Sequence, residues 1–358
     1  MTTGEAPEGV GAGAPGAGWR RADGPPAQDR EQRRRGGGRR GGRGEIPMVD
    51  EAEFTSYYGR PVIKPPVWKT PDVPLYLFLG GAAGSSAVLG ALAEGTRRPA
   101  LARVAHLTAG GGALASVAFL IHDLGRPSRF LNMLRVLKTT SPLSVGSWIL
   151  APFSALTTAT AGAHLLGWFP LLRRLTGVGA AVLGGPMTTY TAALLANTAV
   201  PSWHEVHREL PFVFAGSAMA AGGGITMALT PLDEAGPARK VAALGAVIEF
   251  GAMQRVEHGH GLVSEPYRTG RAGKLLKAAR ACTSAGAGLT LVAGRSRPAA
   301  VVSGALVTAG SVLTRFGIFD AGMASAKDPK YTVEPQRARA RARDAAGSRE
   351  AASTGTRP

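Results

Sequence analysis

Ionisable and tyrosine side chains are scarce in the apolar part of this sequence, and those present gather near one level. Threading the apolar stretches alternately across a slab puts Tyr76, His122, Asp123, Asn197, Arg255, Glu257 and Arg315 within a turn or two of one boundary, with Tyr190 and Glu249 deeper. Tyr190 and Asn197 are seven residues apart, hence two turns apart on one helix face. Such a set can hydrogen-bond the oxygens of a quinone and move its two protons, with Asp123 or Glu249 carrying the proton and Tyr190 or His122 donating. The structural alternative places tyrosines in an interfacial belt and lets Arg255, Glu257 and Arg315 snorkel into headgroups. Arg255 and Glu257 suit that alternative, whereas Asp123, Tyr190 and Glu249 suit the chemistry.

Two histidines stand apart from this group. His106 and His164 fall near the opposite ends of neighbouring helices, at similar depth, and paired membrane histidines can ligate a b-type haem. The EHGHG run at Glu257–Gly261 lies in a glycine-rich loop with no second cluster to complete a metal site, and reads as surface. One cysteine, Cys282, excludes an internal disulfide and any cysteine-ligated cluster built by this chain alone. No Walker-type phosphate loop or nucleophile elbow is present.

The elements that must position these residues are membrane helices. Of the 358 residues, 41 are Lys or Arg and 24 Asp or Glu, yet the apolar residues collect in eight runs near the roughly 20 residues that cross a bilayer. The runs are Val73–Ala93, Leu101–Ile121, Val145–Trp168, Thr176–Val200, Leu210–Thr230, Ala238–Val256, Leu275–Gly294 and Pro298–Phe319. The first, third, fourth and fifth contain no Asp, Glu, Lys or Arg. Glycine-rich patches such as Gly80–Ser86 and Ala220–Gly224 would weaken a helix in water but let helix backbones approach closely in lipid. Alternating barrel strands are absent, so the expected fold is an all-α integral membrane protein, a bundle of eight transmembrane helices over 73–320 with disordered basic N- and C-terminal tails. The sequence shows no convincing internal repeat.

Residues 1–45 are rich in Arg and Gly and are expected to be disordered, residues 46–72 form an extended docking segment, and residues 321–358 read as a basic, largely disordered tail. The basic run at Arg30–Arg43 can sit on anionic lipid headgroups or only orient the chain, and RNA binding, which such a run can also serve, is the less favoured reading. An even number of spans puts both termini on one side; outside the tails that side carries sixteen Lys and Arg against nine on the other, which predicts cytoplasmic termini in the cell membrane. The longer connections on that side, 122–144, 201–209 and 257–271, resemble a surface on which a partner docks.

Particular stretches resemble a known family. YYGRPVIKPPVWKTPDVPLYLFLGGAAGSSAVL (Tyr57–Leu89) resembles the entry into the first helix of the polysulfide-reductase membrane-subunit family, called NrfD. HDLGRPSRFLNMLRVLKTTSPLSVGSW (His122–Trp148) is similar to its loop between the second and third helices. Tyr190–His204 and Thr314–Arg337 are similar to its fourth helix and closing segment, so the likeness covers roughly residues 54–337.

The resemblance implies a membrane anchor within a quinone-dependent oxidoreductase complex. It would exchange electrons between a quinone, menaquinone or ubiquinone, and a ferredoxin-like 4Fe–4S subunit serving a molybdopterin catalytic subunit of formate dehydrogenase or polysulfide reductase type, with no metal of its own. It implies a quinone site at the end of the bundle facing the iron–sulfur partner. There Tyr76 stands where some relatives have histidine, Tyr190 matches the fourth-helix tyrosine, and His122 and Asp123 match the polar pair before LGRP. The quinone-binding residues are then Tyr76, Tyr190 and Asn197, the proton-transfer residues Asp123, His122 and Glu249, and the partner-docking residues Tyr57, Tyr58, Arg60, Trp68, Arg126 and Arg129. The competing expectation is a transporter or ion-translocating membrane protein working through Glu249.

Overall fold

The structure, a computed structural model, describes residues 61–354 except residue 168. The expected tail at 1–45, and Tyr57, Tyr58 and Arg60, lie outside the described residues. Among the described residues the regular structure is all helical. In chain order the helices are α1 (Asp72–Gly95), α2 (Pro99–Leu124), α3 (Pro127–Met133), α4 (Pro142–Leu166), α5 (Pro170–Ala196) and α6 (Pro201–Glu205). They continue with α7 (Leu210–Leu229), α8 (Gly236–His258), α9 (Glu265–Arg268), α10 (Gly270–Leu289), α11 (Arg297–Lys327) and α12 (Lys330–Thr354). A 3₁₀ turn at Gly261–Ser264 precedes α9.

Proline punctuates the starts: α2 to α9 and α11 each have proline at the first or second position, where its fixed φ suits a helix and its missing N–H costs nothing. Gly125 and Gly167, at φ 73° and 69°, end α2 and α4 in the left-handed conformation that glycine adopts without strain.

Six helices, α1, α2, α4, α5, α7 and α11, are long and apolar enough to cross a membrane, which makes this a multi-pass membrane protein. Helices also form over the other two apolar runs, as α8 and α10, but these carry more charge: Arg239, Lys240, Glu249, Arg255 and Glu257 on α8, and Arg271, Lys274, Lys277 and Arg280 on α10. Large apolar side chains such as Leu114, Val178, Val182 and Val247 face outward, as lipid rather than water requires.

The eight helices over the apolar runs form two quartets. α1 packs on α2 and α5, α5 on α4 and α4 on α2; α7 packs on α8 and α11, α11 on α10 and α10 on α8. The same neighbour order recurs in both halves, a likeness the sequence does not display. α1, the most buried span, joins the quartets through α7 and α11. Close approach depends on missing side chains: a Cβ on Gly84 of α1 would lie 2.7 Å from the Gly184 carbonyl oxygen of α5.

The bundle does not stop at residue 320. α11 continues to Lys327, and residues 330–354 form α12 where the sequence reading expects a largely disordered tail. Alanine, arginine and glutamate are strong helix formers, and α12 is tied back by Lys330 Nζ to Glu265 Oε1 at 3.1 Å and by Arg339 to Glu205 at 2.9 Å.

Candidate functional site

α1 and α5 bring together two tyrosines that are 114 residues apart in sequence. The hydroxyls of Tyr76 and Tyr190 are in direct hydrogen-bond contact, and both side chains are buried. Helix α4 makes room for them, because Gly146 lies against the Tyr190 ring where any side chain would collide with it. On α2, the Ser116 hydroxyl donates to the Tyr76 carbonyl oxygen at 3.2 Å and fixes the height of α1.

One turn before Tyr76, on the same face of α1, stands Asp72, a buried acid between Pro71 and Pro74 that depth and spacing in the sequence do not single out. Its Oδ2 lies 2.7 Å from Nδ1 of His122, whose ring is 74% exposed. A line of polar groups therefore descends from the solvent-facing imidazole through a buried carboxylate toward the tyrosine pair.

The remaining expected residues are placed differently. Half-buried Asp123 accepts the backbone N–H of exposed Lys69 at 2.9 Å, and Lys69 Nζ donates to the His122 carbonyl at 3.3 Å, so Asp123 fastens the segment entering α1. Asn197 caps α5 at an exposed position two turns beyond Tyr190 and does not join the pair. Trp68 stacks on the fully buried Trp203 of α6 at 5.7 Å between ring centroids, which makes it a packing residue more than a free docking side chain. Trp203 in turn donates to the Ile318 carbonyl at 2.8 Å, while Tyr267 donates to the Ser202 carbonyl at 2.8 Å. The connections on this end are thus one packed layer. Burial with no compensating charge pushes the Tyr267 hydroxyl well above its ordinary pKa, so it stays a donor. Arg126 and Arg129 are exposed, Arg129 donating to the Leu124 carbonyl at 2.9 Å.

A second buried polar group lies between α8 and α11. Thr314 donates to Glu249 Oε1 at 2.5 Å, and Arg315 donates to the Phe214 carbonyl at 2.8 Å with its guanidinium 3.7 Å from that ring centre. Arg315 is 1% exposed, and Glu257 is buried in an ion pair with Arg280; neither snorkels, because helices α7, α10 and α11 enclose them. Arg255 is exposed, as the structural reading expects.

Residues 54–327 match the family model described as polysulfide reductase. The chain belongs to that family. Its members are membrane subunits of molybdoenzyme complexes and normally partner with catalytic and iron–sulfur subunits. No curated protein matches the chain. Within the polysulfide reductase span fall the tyrosine pair, the Asp72–His122 contact and the Glu249 group.

Proposed function

We propose that this chain is the quinone-interacting anchor of a molybdoenzyme complex, passing electrons between menaquinone or ubiquinone and a ferredoxin-like 4Fe–4S subunit that serves a molybdopterin catalytic subunit of formate dehydrogenase or polysulfide reductase type. The observation that carries this reading is the contact of the Tyr76 and Tyr190 hydroxyls one turn from the Asp72–His122 pair. Interconversion of quinone and quinol moves two protons with two electrons, so the site needs donors at the ring oxygens and a route to water. The two phenols suit the first need: parted from each other, either donates to a carbonyl oxygen. Asp72 and His122 suit the second.

The proposed anchor has eight spans. α8 turns Leu244, Val247 and Phe250 outward and keeps its charges inside or at its ends, which fits a helix in lipid. Eight spans and the charge asymmetry support a chain with both termini on the cytoplasmic side, with α3, α6, α9 and exposed Arg126 and Arg129 forming the face on which the iron–sulfur subunit docks.

Replacing Tyr76 and Tyr190 by phenylalanine, singly and together, in membranes holding the assembled complex tests this reading. Quinone turnover should fall by about 100-fold in the double variant, the scale of a positioned proton donor. Full turnover with normal assembly would leave the chain a passive anchor.

A specific observation favours a second role, ion or proton translocation through Glu249. Its Oε2 makes no hydrogen bond, and it lines a cavity of about 20 Å³, room for one water, that also touches Thr283, Glu257 and Arg280. Proton uptake by vesicles containing the complex should be lost in Glu249→Gln while electron transfer continues; unchanged uptake would remove this role.

A further inference from the structure

Eighteen residues beyond Tyr76 on α1, about 27 Å along the axis at 1.5 Å per residue, a cluster of different composition closes the opposite end of the bundle. Glu94 of α1, His106 of α2 and His164 of α4 turn toward one point. Nε2 of His164 lies 3.3 Å and Nε2 of His106 3.8 Å from the same oxygen, Glu94 Oε1, and the three atoms are all within 4.8 Å of one another. All three are buried and none makes a hydrogen bond. His106 is 1% exposed. Glu94 Oε1 has His106, His164 and Arg173 as ion-pair neighbours, yet none of these contacts meets hydrogen-bond geometry. A buried polar atom lacking a hydrogen bond costs on the order of 1–3 kcal/mol, so aiming two imidazoles and a carboxylate at one spot calls for an occupant.

The slot around His106 is built for its ring. A Cβ on Gly90 of α1 would lie 2.8 Å from ring atoms of His106, and one on Gly177 of α5 would lie 3.3 Å from the ring. The His106 and His164 rings stack side by side, centroids 5.1 Å apart and planes 26° apart, with both Nε2 atoms toward the carboxylate. That arrangement does not suit haem, whose axial imidazoles face each other across the iron. It does suit one small ion. Ligands about 2.0–2.1 Å from a tetrahedral centre are about 3.4 Å from one another, and the distances of 3.3 and 3.8 Å bracket that edge.

We propose that Glu94, His106 and His164 bind a divalent first-row transition ion, with Zn²⁺ the best match to two imidazoles, one carboxylate and tetrahedral geometry. The fourth position opens toward a cavity of about 330 Å³ whose lining includes Arg97, Arg98, Arg103, Arg173 and Arg174. These cations oppose a bare dication, so the fourth ligand is an anion or ionised water that they stabilise. Arg173 Nε, 3.3 Å from Glu94 Oε1 and itself without a hydrogen bond, swings away when the ion takes that oxygen. The site departs from the sequence expectation of a chain without metal of its own, and it is independent of the quinone reading.

Full-length protein without a polyhistidine tag, stripped with chelator in detergent, tests the proposal by metal analysis after exposure to Zn²⁺ and desalting, and by the visible spectrum with Co²⁺. One Zn²⁺ per chain and an intense tetrahedral Co²⁺ band are expected. Glu94→Gln and His164→Asn should each weaken Zn²⁺ binding by about 100-fold, the upper end of what even outer-shell changes cost, while His122→Ala keeps it. A Glu94→Gln variant that still retains one Zn²⁺ overturns the assignment. If neither variant folds, the wild-type protein decides: absence of the tetrahedral Co²⁺ band overturns the site.

Discussion

Nδ1 of His122 sits 2.7 Å from Oδ2 of Asp72, an imidazole open to solvent resting on a carboxylate that is 7% exposed. The pair ties the end of α2 to the start of α1, and the next turn of α1 carries Tyr76 into contact with Tyr190. Surface and bundle interior are thereby joined through four side chains from three helices.

Asp72→Asn should lower quinone turnover by about 100-fold with little loss of assembled complex, because the amide keeps the shape but cannot carry a proton. Asp123→Asn should leave turnover within about twofold of wild type, since that carboxylate holds the Lys69 N–H and an amide oxygen accepts equally well. Quinone reduction in isolated membranes compares the two; equal losses would return the proton role to Asp123.

Trp203 is the largest fully buried side chain among the described residues and touches Trp68, Phe319 and the Ile318 carbonyl together. Trp203→Ala should cost about 3–5 kcal/mol, the range for emptying an aromatic core site, and loosen the layer formed by α6, α9 and the segment before α1. Trp203→Phe should cost less, losing chiefly the indole donor. Thermal unfolding in detergent ranks the variants, and a negligible effect of the alanine would show that the layer does not depend on this ring.

Much of the fold is legible because lipid demands long apolar runs, and all eight became helices. The ends are less legible. α10 closes at Leu289 instead of Gly294, since apolar residues can leave a helix for turns as well as extend it; α11 runs eight residues past Phe319, because polar and charged residues continue a helix as readily as apolar ones once it has left the slab. α12 has no apolar stripe to announce it. In the site, depth alone groups Tyr76, His122 and Tyr190, but which side chains touch depends on helix rotation, which one sequence does not encode visibly. Neither Asp72 nor Glu94 stands out in the sequence by type or spacing, yet both are partners of histidines that do.

Lys330 anchors α12 through Glu265, and that hydrogen bond holds its ammonium above the ordinary lysine pKa. A raised pKa means that the contribution is complete below the unfolded-state value and disappears as pH rises through the folded one, so docking of α12 should be constant from neutral to mildly alkaline pH and weaken only at strongly alkaline pH. Both groups are about a third exposed, so the pair is salt-sensitive and modest. Lys330→Ala should speed tryptic cleavage after Arg337 and Arg339 at neutral pH severalfold; an unchanged rate would mean that the Arg339–Glu205 contact suffices.

Gly84 links packing to the site. It lies two turns beyond Tyr76 on α1, and an added methyl would meet the Gly184 carbonyl of α5, six residues before Tyr190. Backbone cannot yield as a flexible side chain does, so Gly84→Ala pushes α1 and α5 apart, at a cost of about 1–3 kcal/mol, and lengthens the Tyr76–Tyr190 contact. Gly111 on the outer face of α2 has open space around its Cα, and there alanine should be neutral or stabilise by up to about 1 kcal/mol through helix propensity. Melting temperature and quinone turnover should therefore both drop for Gly84→Ala and neither for Gly111→Ala. A Gly84→Ala protein with lower stability but full turnover would separate the α1–α5 crossing from the tyrosine pair.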